Sequence, residues 1–262
     1  MQTISSKDNN IIKHIKKLKE KKYRDEFNEF IIEGIKMLKE ALSEKAKIKK
    51  IIFSDSFIKN NNIEEFKYID LSQDEVICVT DSVFKIITEV GTPQGVLAII
   101  EKNEEKNPDT LNDEFLIALD NLQDPGNLGT ILRTADSANI KNILVTRGTA
   151  DCYSAKVVRS TMGAIFRINV IECENLQKSL EILKDKGYNI IVTALDTKDT
   201  IYDVNYQKSV IVIGNEANGV SREVQDIANK KVIIPMLGKT ESLNASVAAG
   251  IIIYEYIRQK VN

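Results

Sequence analysis

The segment IPMLGKTESLNASVAAG, Ile234 to Gly250, decides how this chain reads. It continues the β-branched run Val232-Ile233-Ile234, which has the composition of a buried strand. The run breaks at Pro235, crosses a loop of small residues and enters a long apolar-periodic helix near Asn244. Thr240, Glu241, Ser242 and Asn244 crowd the strand-to-helix turn. In an open α/β sheet, ligands bind at that carboxyl end of a strand.

Two earlier stretches share the strand, polar loop and helix order. In NLQDPGNLGTILRTA, Asn121 to Ala135, the Asp124-Pro125-Gly126-Asn127 turn follows a strand ending LIALD. Asn127 occupies the position expected of an N-cap, and Arg133 falls nearly two turns into the helix. The pair is equally the cap and surface arginine of an ordinary helix. In VIVIGNEANGVS, Val210 to Ser221, Gly214 allows close backbone approach of a ligand and Gly219 a positive-φ turn. Glu216 is there either a binding carboxylate or a solvated loop acid. The glycine spacing fits neither a dinucleotide fingerprint nor a P-loop.

Around these stretches the chain falls into two domains and a linker. Residues 1–100 alternate short helices and strands: a helix over 9–22, a strand near Phe30–Ile32, a helix carrying Ile35, Leu38 and Leu42, strands at Ile48–Phe53 and Val76–Val79, a helix over Asp81–Thr88 and a strand over Gly95–Ile100. Residues 101–112, EKNEEKNPDTLN, are linker-like. Residues 113–262 alternate nearly unbroken apolar strands with helices, which means a mostly parallel sheet covered on both faces. The strands are Phe115–Leu119, Asn142–Val145, Ile168–Ile171, Ile190–Ala194, Val210–Ile213 and Val232–Ile234, and the helices Leu128–Ala138, Leu176–Lys186, Ser221–Ala228 and Ala245–Arg258. Between them, Arg147, Lys156, Arg159 and Arg167 lie in a loop-rich region, as a phosphate-binding group or as ordinary surface charge.

Composition narrows the chemistry. His14 is the single histidine, and Cys78, Cys152 and Cys173 are far apart, so a His-based triad or a His/Cys metal site is excluded. The sparse cysteines suit reduced thiols in the cytoplasm. No stretch approaches the ~18 apolar residues of a membrane span, and the polar N-terminus is unlike a signal peptide. Residues 1–50 hold 14 Lys/Arg against 8 Asp/Glu, whereas the remainder holds 22 against 30. A basic head on an acidic body hints at a polyanionic partner and is also how a helix face is solvated.

Taken together, the three stretches resemble the SpoU branch of the SPOUT RNA methyltransferases. The likeness rests on N-x-x-D-P-x-N-x-G-x-x-x-R, a GNE-type loop and IPM-x-G…SLN-x-S-x-A, in that order across residues 113–262. FIIEGIKMLKEAL, in the first domain, is similar to the RNA substrate-binding domain of rRNA-directed members, itself like a ribosomal protein. The resemblance implies 2′-O-methylation of an RNA ribose by S-adenosylmethionine, rRNA being favoured over tRNA. It also implies a C-terminal trefoil knot, which general topology rules do not predict, and a homodimer through the catalytic domain. By position, Asn127, Arg133, Glu216, Ser242 and Asn244 match the catalytic set, with Asn127 expected to fix Arg133. Ala194, Gly214, Ile234, Met236 and Leu243 match cofactor-lining positions, and Lys156 and Arg159 RNA contacts. Ala217 stands where many members have glycine, and Ala155 where a proline is frequent. In this family the arginine is the usual candidate for proton acceptor, which sits badly with a guanidinium pKa above ~12; positioning the hydroxyl or a phosphate is a sufficient role. No metal is implied. A catalytically silent RNA-binding protein, a tRNA-directed relative and a small-molecule α/β enzyme are the alternatives.

Overall fold

Strands form here where β-branched runs can be buried on both faces, and helices where the apolar period lengthens. The computed structural model describes residues 3–60, 76–104 and 106–261. By internal contacts the chain divides into residues 1–103 with 153–166, and residues 104–152 with 167–262.

In the first unit the described strands are β1 (Thr3–Ile4), β2 (Glu29–Glu33), β3 (Ile48–Ser54), β4 (Val76–Val79) and β5 (Val96–Glu101). They make one mixed sheet in the order β1-β4-β3-β5-β2, with β5 antiparallel to both neighbours. Its helices are α1 (Asn10–Lys17), α2 (Lys21–Phe27), α3 (Ile35–Ser43), α4 (Asp55–Lys59) and α5 (Asp81–Ile87). Ile12, Ile15 and Leu18 pack with Val83, Phe84 and Ile87 over Ile52, Leu97 and Ile99. The single helix expected over 9–22 is two. The chain turns after Leu18, whose carbonyl accepts a 2.7 Å hydrogen bond from the buried Arg24 side chain. This side-chain cap from six residues downstream follows none of the usual helix-end patterns. β1 and α4 were likewise not expected.

The second unit holds β6 (Phe115–Leu119), α6 (Pro125–Ser137), β7 (Asn142–Thr146), β8 (Asn169–Cys173), α8 (Leu176–Asp185), β9 (Asn189–Thr193), β10 (Ser209–Ile213), α9 (Arg222–Ile227), β11 (Lys230–Val232) and α10 (Ala245–Val261). The intervening helix α7 (Ala155–Thr161) groups with the first unit and replaces the expected loop-rich region. The six strands are all parallel, in the order β11-β9-β10-β6-β7-β8. One face of the sheet, with Leu116, Ala118, Val210 and Val212, packs against Leu180, Leu183 and Val224 of α8 and α9. On the other face Phe115 stacks on Tyr256 of α10 with ring centroids 4.2 Å apart, and α10 packs on α6. The chain leaves β6 toward β7 and β8, then returns to β9 and inserts β10 beside β6. That reversal opens a crevice beyond the carboxyl ends of β6, β9, β10 and β11.

Candidate active site

Three loops meet in this crevice. The first begins at Asp120, 2 % exposed, whose amide donates to the Ile213 carbonyl (2.9 Å) and whose carboxylate accepts from the Ser221 amide (2.8 Å). Asn215 Nδ2 donates to the Asn121 carbonyl at 2.8 Å. These contacts bind the first loop to the second. Asp120, Asn121 and Asn215 are not among the expected site residues, although Asn121 and Asn215 stand in quoted motifs and Asp120 ends the strand run before the first of them.

Helix α6 starts one turn earlier than expected. Asp124 is its N-cap, with Oδ1 accepting from the Asn127 amide at 2.7 Å, and Pro125 takes the first helical position, where its missing N–H costs nothing. Asn127 is thus a buried third residue of the helix, and its side chain is released from capping. Its Nδ2 donates to Glu216 Oε1 at 2.9 Å, and its Oδ1 accepts from Asn244 Nδ2 at 2.9 Å. One amide therefore joins the first, second and third loops. Asn244 also caps α10, accepting from the Ser246 and Val247 amides.

The expected pairing of Asn127 with Arg133 is not found. Six residues advance a helix by about 600°, so the two side chains leave it about 120° apart. Asn127 faces the loop junction, while Arg133 is exposed and makes no hydrogen bond or ion pair with the described residues. Glu216 also sits in solvent but is held in place. Desolvation pushes its carboxyl up, yet the Asn127 donor and nearby backbone N–H groups outweigh that and leave it below the usual carboxylate range. It is ionised at neutral pH and a weak proton acceptor.

Beside this junction lies a cleft of about 540 Å³. Ala194, Gly214, Ile234, Met236 and Leu243 line it, as do Glu216 and Ser242. Asn127, Arg133 and Asn244 stand outside the lining. Its volume and apolar walls suit a drug-sized organic ligand. Its charged lining residues are Asp196, Glu216 and Glu241, with no Lys or Arg among them, which suits a ligand carrying positive charge; Asp196 is partly offset by Lys231 at 3.3 Å. S-adenosylmethionine, an adenine nucleoside with a sulfonium, fits this chemistry. Gly214 has a second role besides lining the cleft. A Cβ built there overlaps the Gly219 carbonyl carbon and the Val220 amide nitrogen, so the glycine lets the second loop fold back on itself. Gly219 does take a positive φ of 68°. Gly214→Ala is expected to force this loop outward and weaken cofactor affinity by at least ~10-fold, at a stability cost of about 1–3 kcal/mol; titration calorimetry with thermal melts measures both.

The cations between the motifs have different immediate surroundings. Arg147 pairs with Glu174 at 2.6 Å and Arg167 with Asp136 at 2.9 Å. Lys156 is exposed on α7. Arg159 turns inward instead of presenting a surface cation: it is half-buried, its Nη1 is enclosed without a hydrogen bond, and it lines a small cavity with Glu33, Glu89 and Tyr153.

The six-stranded parallel sheet thus sets three tied loops beside a cleft whose charged lining residues are all acidic. The chain belongs to the SpoU rRNA Methylase family, whose model matches residues 114–254, and the MRM3-like substrate binding domain matches residues 9–98. A Bacillus subtilis relative, the 23S rRNA (guanosine(2553)-2'-O)-methyltransferase RlmP, is 32% identical over 97% of this chain and 98% of its own. An AdoMet-bound rRNA methyltransferase from Sinorhizobium meliloti superposes with a TM-score of 0.84 at 31% identity, covering 98% of each chain. A putative TrmH-family RNA methyltransferase from Porphyromonas gingivalis gives 0.84 at 30% identity, over 96% of this chain and 98% of its own.

Proposed function

We propose that this chain transfers the methyl group of S-adenosylmethionine to a ribose 2′-hydroxyl in large-subunit rRNA. The observation that carries this reading is the single amide of Asn127, which ties all three motif loops into one wall beside a cleft suited to that cofactor. The Bacillus subtilis relative's activity and near-complete overlap support the rRNA target.

When bound, the cofactor supplies a methyl group on a good leaving sulfur. The protein's part is positioning. Ile234, Met236 and Leu243 hold the apolar portion, and Glu216 offers negative charge. Ser242, exposed at the cleft and without a hydrogen bond to the described residues, is free to orient a ligand hydroxyl. Cationic Arg133 binds an RNA phosphate or aligns the 2′-oxygen. Asn127 and Asn244 act through the loops they fix. Glu216, ionised and hydrogen-bonded, is not the proton acceptor on this account.

The active form on this reading is a homodimer through the α6–α10 face, where Val247 and Tyr254 remain 49 % and 52 % exposed. The C-terminal segment is read as knotted. Ile233 exchanges hydrogen bonds with the 199–201 segment, and Gln259 of α10 bonds Val204 and Tyr206 farther along the same loop. The three buried free thiols suit a cytoplasmic enzyme. Deleting the gene is expected to remove one 2′-O-methylnucleotide from large-subunit rRNA and none from tRNA, read by mass spectrometry of separated digests. Loss of a base methylation with riboses unchanged would contradict the proposal.

A further inference from the structure

The first unit carries a row of three rings that the active site does not use. His14 on α1 lies 4.7 Å from Phe27 on α2, and Phe27 stacks nearly parallel to Tyr23, one turn earlier, at 6.2 Å. All three are half-exposed. The Lys17 ammonium stands 5.3 Å from the Tyr23 ring and 5.9 Å from Phe27, and Lys22 lies 5.6 Å from Tyr23. The charge here is lopsided: residues 10–27 hold seven Lys/Arg and three Asp/Glu. Two neighbouring carboxylates are already engaged, Glu29 with His14 at 2.6 Å and Asp25 with Lys102 at 2.6 Å.

We infer that the Tyr23–Phe27–His14 row, with Lys17 and Lys22, is a docking surface for an unpaired nucleotide of the substrate RNA. This rests on the RNA-methyltransferase reading and adds to it the form of RNA that the first unit grips. A patch serving only to cover the core needs neither cations above its rings nor a surplus of positive charge. Bases in a duplex hide their faces in the stack, whereas a loop or bulge can lay a base against an aromatic side chain. Phosphates on either side of that base then draw the two ammonium groups off the rings, so Tyr23 supplies stacking and the lysines supply charge.

The test uses the full chain with a fluorescent oligouridylate of about 12 nucleotides and a blunt RNA duplex of about the same length. Tyr23→Leu keeps an apolar cover over the core. It is expected to weaken single-strand binding by ~10-fold, the scale of one lost base–aromatic stack, and to leave duplex binding unchanged. Lys17→Gln, at an exposed site, is expected to weaken both and to lower the single-strand salt slope by about 0.7. Equal single-strand affinity for wild type and Tyr23→Leu, or equal loss on both probes, would overturn the inference. If the Leu variant does not fold, an unchanged salt slope for Lys17→Gln overturns it alone. S-adenosylmethionine binding by wild type, measured in parallel, separates the two claims: its absence sinks the methyltransferase reading and leaves the patch to be judged on RNA.

Discussion

Arg133→Ala should abolish most methyl transfer while leaving both the fold and cofactor binding intact. The side chain is exposed, has no partner among the described residues and stands outside the cleft lining. Removing a surface group of this kind changes stability by no more than about 0.5 kcal/mol. A group that aligns the nucleophile or holds a phosphate beside it should nevertheless be worth ~100–1000-fold in rate. Arg133→Lys keeps the charge but loses the planar fork, so it should recover only part of the activity. Single-turnover transfer, calorimetric cofactor titration and a thermal melt test the three parts. Near-wild-type transfer, or loss of cofactor binding together with the loss of transfer, would show that the residue is misassigned.

Asn127→Asp should have the opposite profile, damaging the site through its architecture. Asn127 is 8 % exposed and donates to Glu216 while accepting from Asn244. The substitution removes the donor and sets a second carboxylate against Glu216. An unmatched charge so placed costs on the order of 3 kcal/mol, and freeing the loops should weaken cofactor binding by at least ~10-fold. The pH dependence identifies the cause. In wild type the Glu216 pKa is lowered on folding, so its contribution is present above the unfolded value and is lost as pH falls through the folded one. In the variant the two acids share a proton, so the native state holds it at a pH where the unfolded carboxyls, near ~4, have lost theirs. The variant's deficit should therefore shrink as pH falls toward about 5, followed by denaturant melts across that range. A deficit independent of pH would mean that the carboxylate pair is not its source.

The second unit's architecture was legible because its central strands are buried on both faces and read as unbroken apolar runs. FLIAL and SVIVI need no tertiary information to be recognised as parallel strands. The helix ends were less so. Asn127 resembles a cap because Asn is a good one, but Pro125 two residues earlier carries the stronger signal, since within a helix proline is best placed at the first position. Helix α7 is hard to see in the sequence for a related reason. Ser154 caps it and Ala155 is its first residue, yet the surrounding small polar residues suggest a loop. The roles of Asp120 and Asn215 depend on partners more distant in sequence than any local pattern reaches. Side-chain direction was the hardest to foresee: Arg159 and Lys156 look equivalent in sequence, but only Lys156 is exposed.

The central claim is transfer to a ribose oxygen. Purified protein, S-adenosylmethionine bearing a deuterated methyl group, and rRNA from a strain lacking the gene test it without cellular context. After digestion to nucleosides, the label is expected in one 2′-O-methylnucleoside from large-subunit rRNA and to vanish with Arg133→Ala. Label on a base with unlabelled riboses, or no transfer to RNA by a protein that binds the cofactor, would contradict the account.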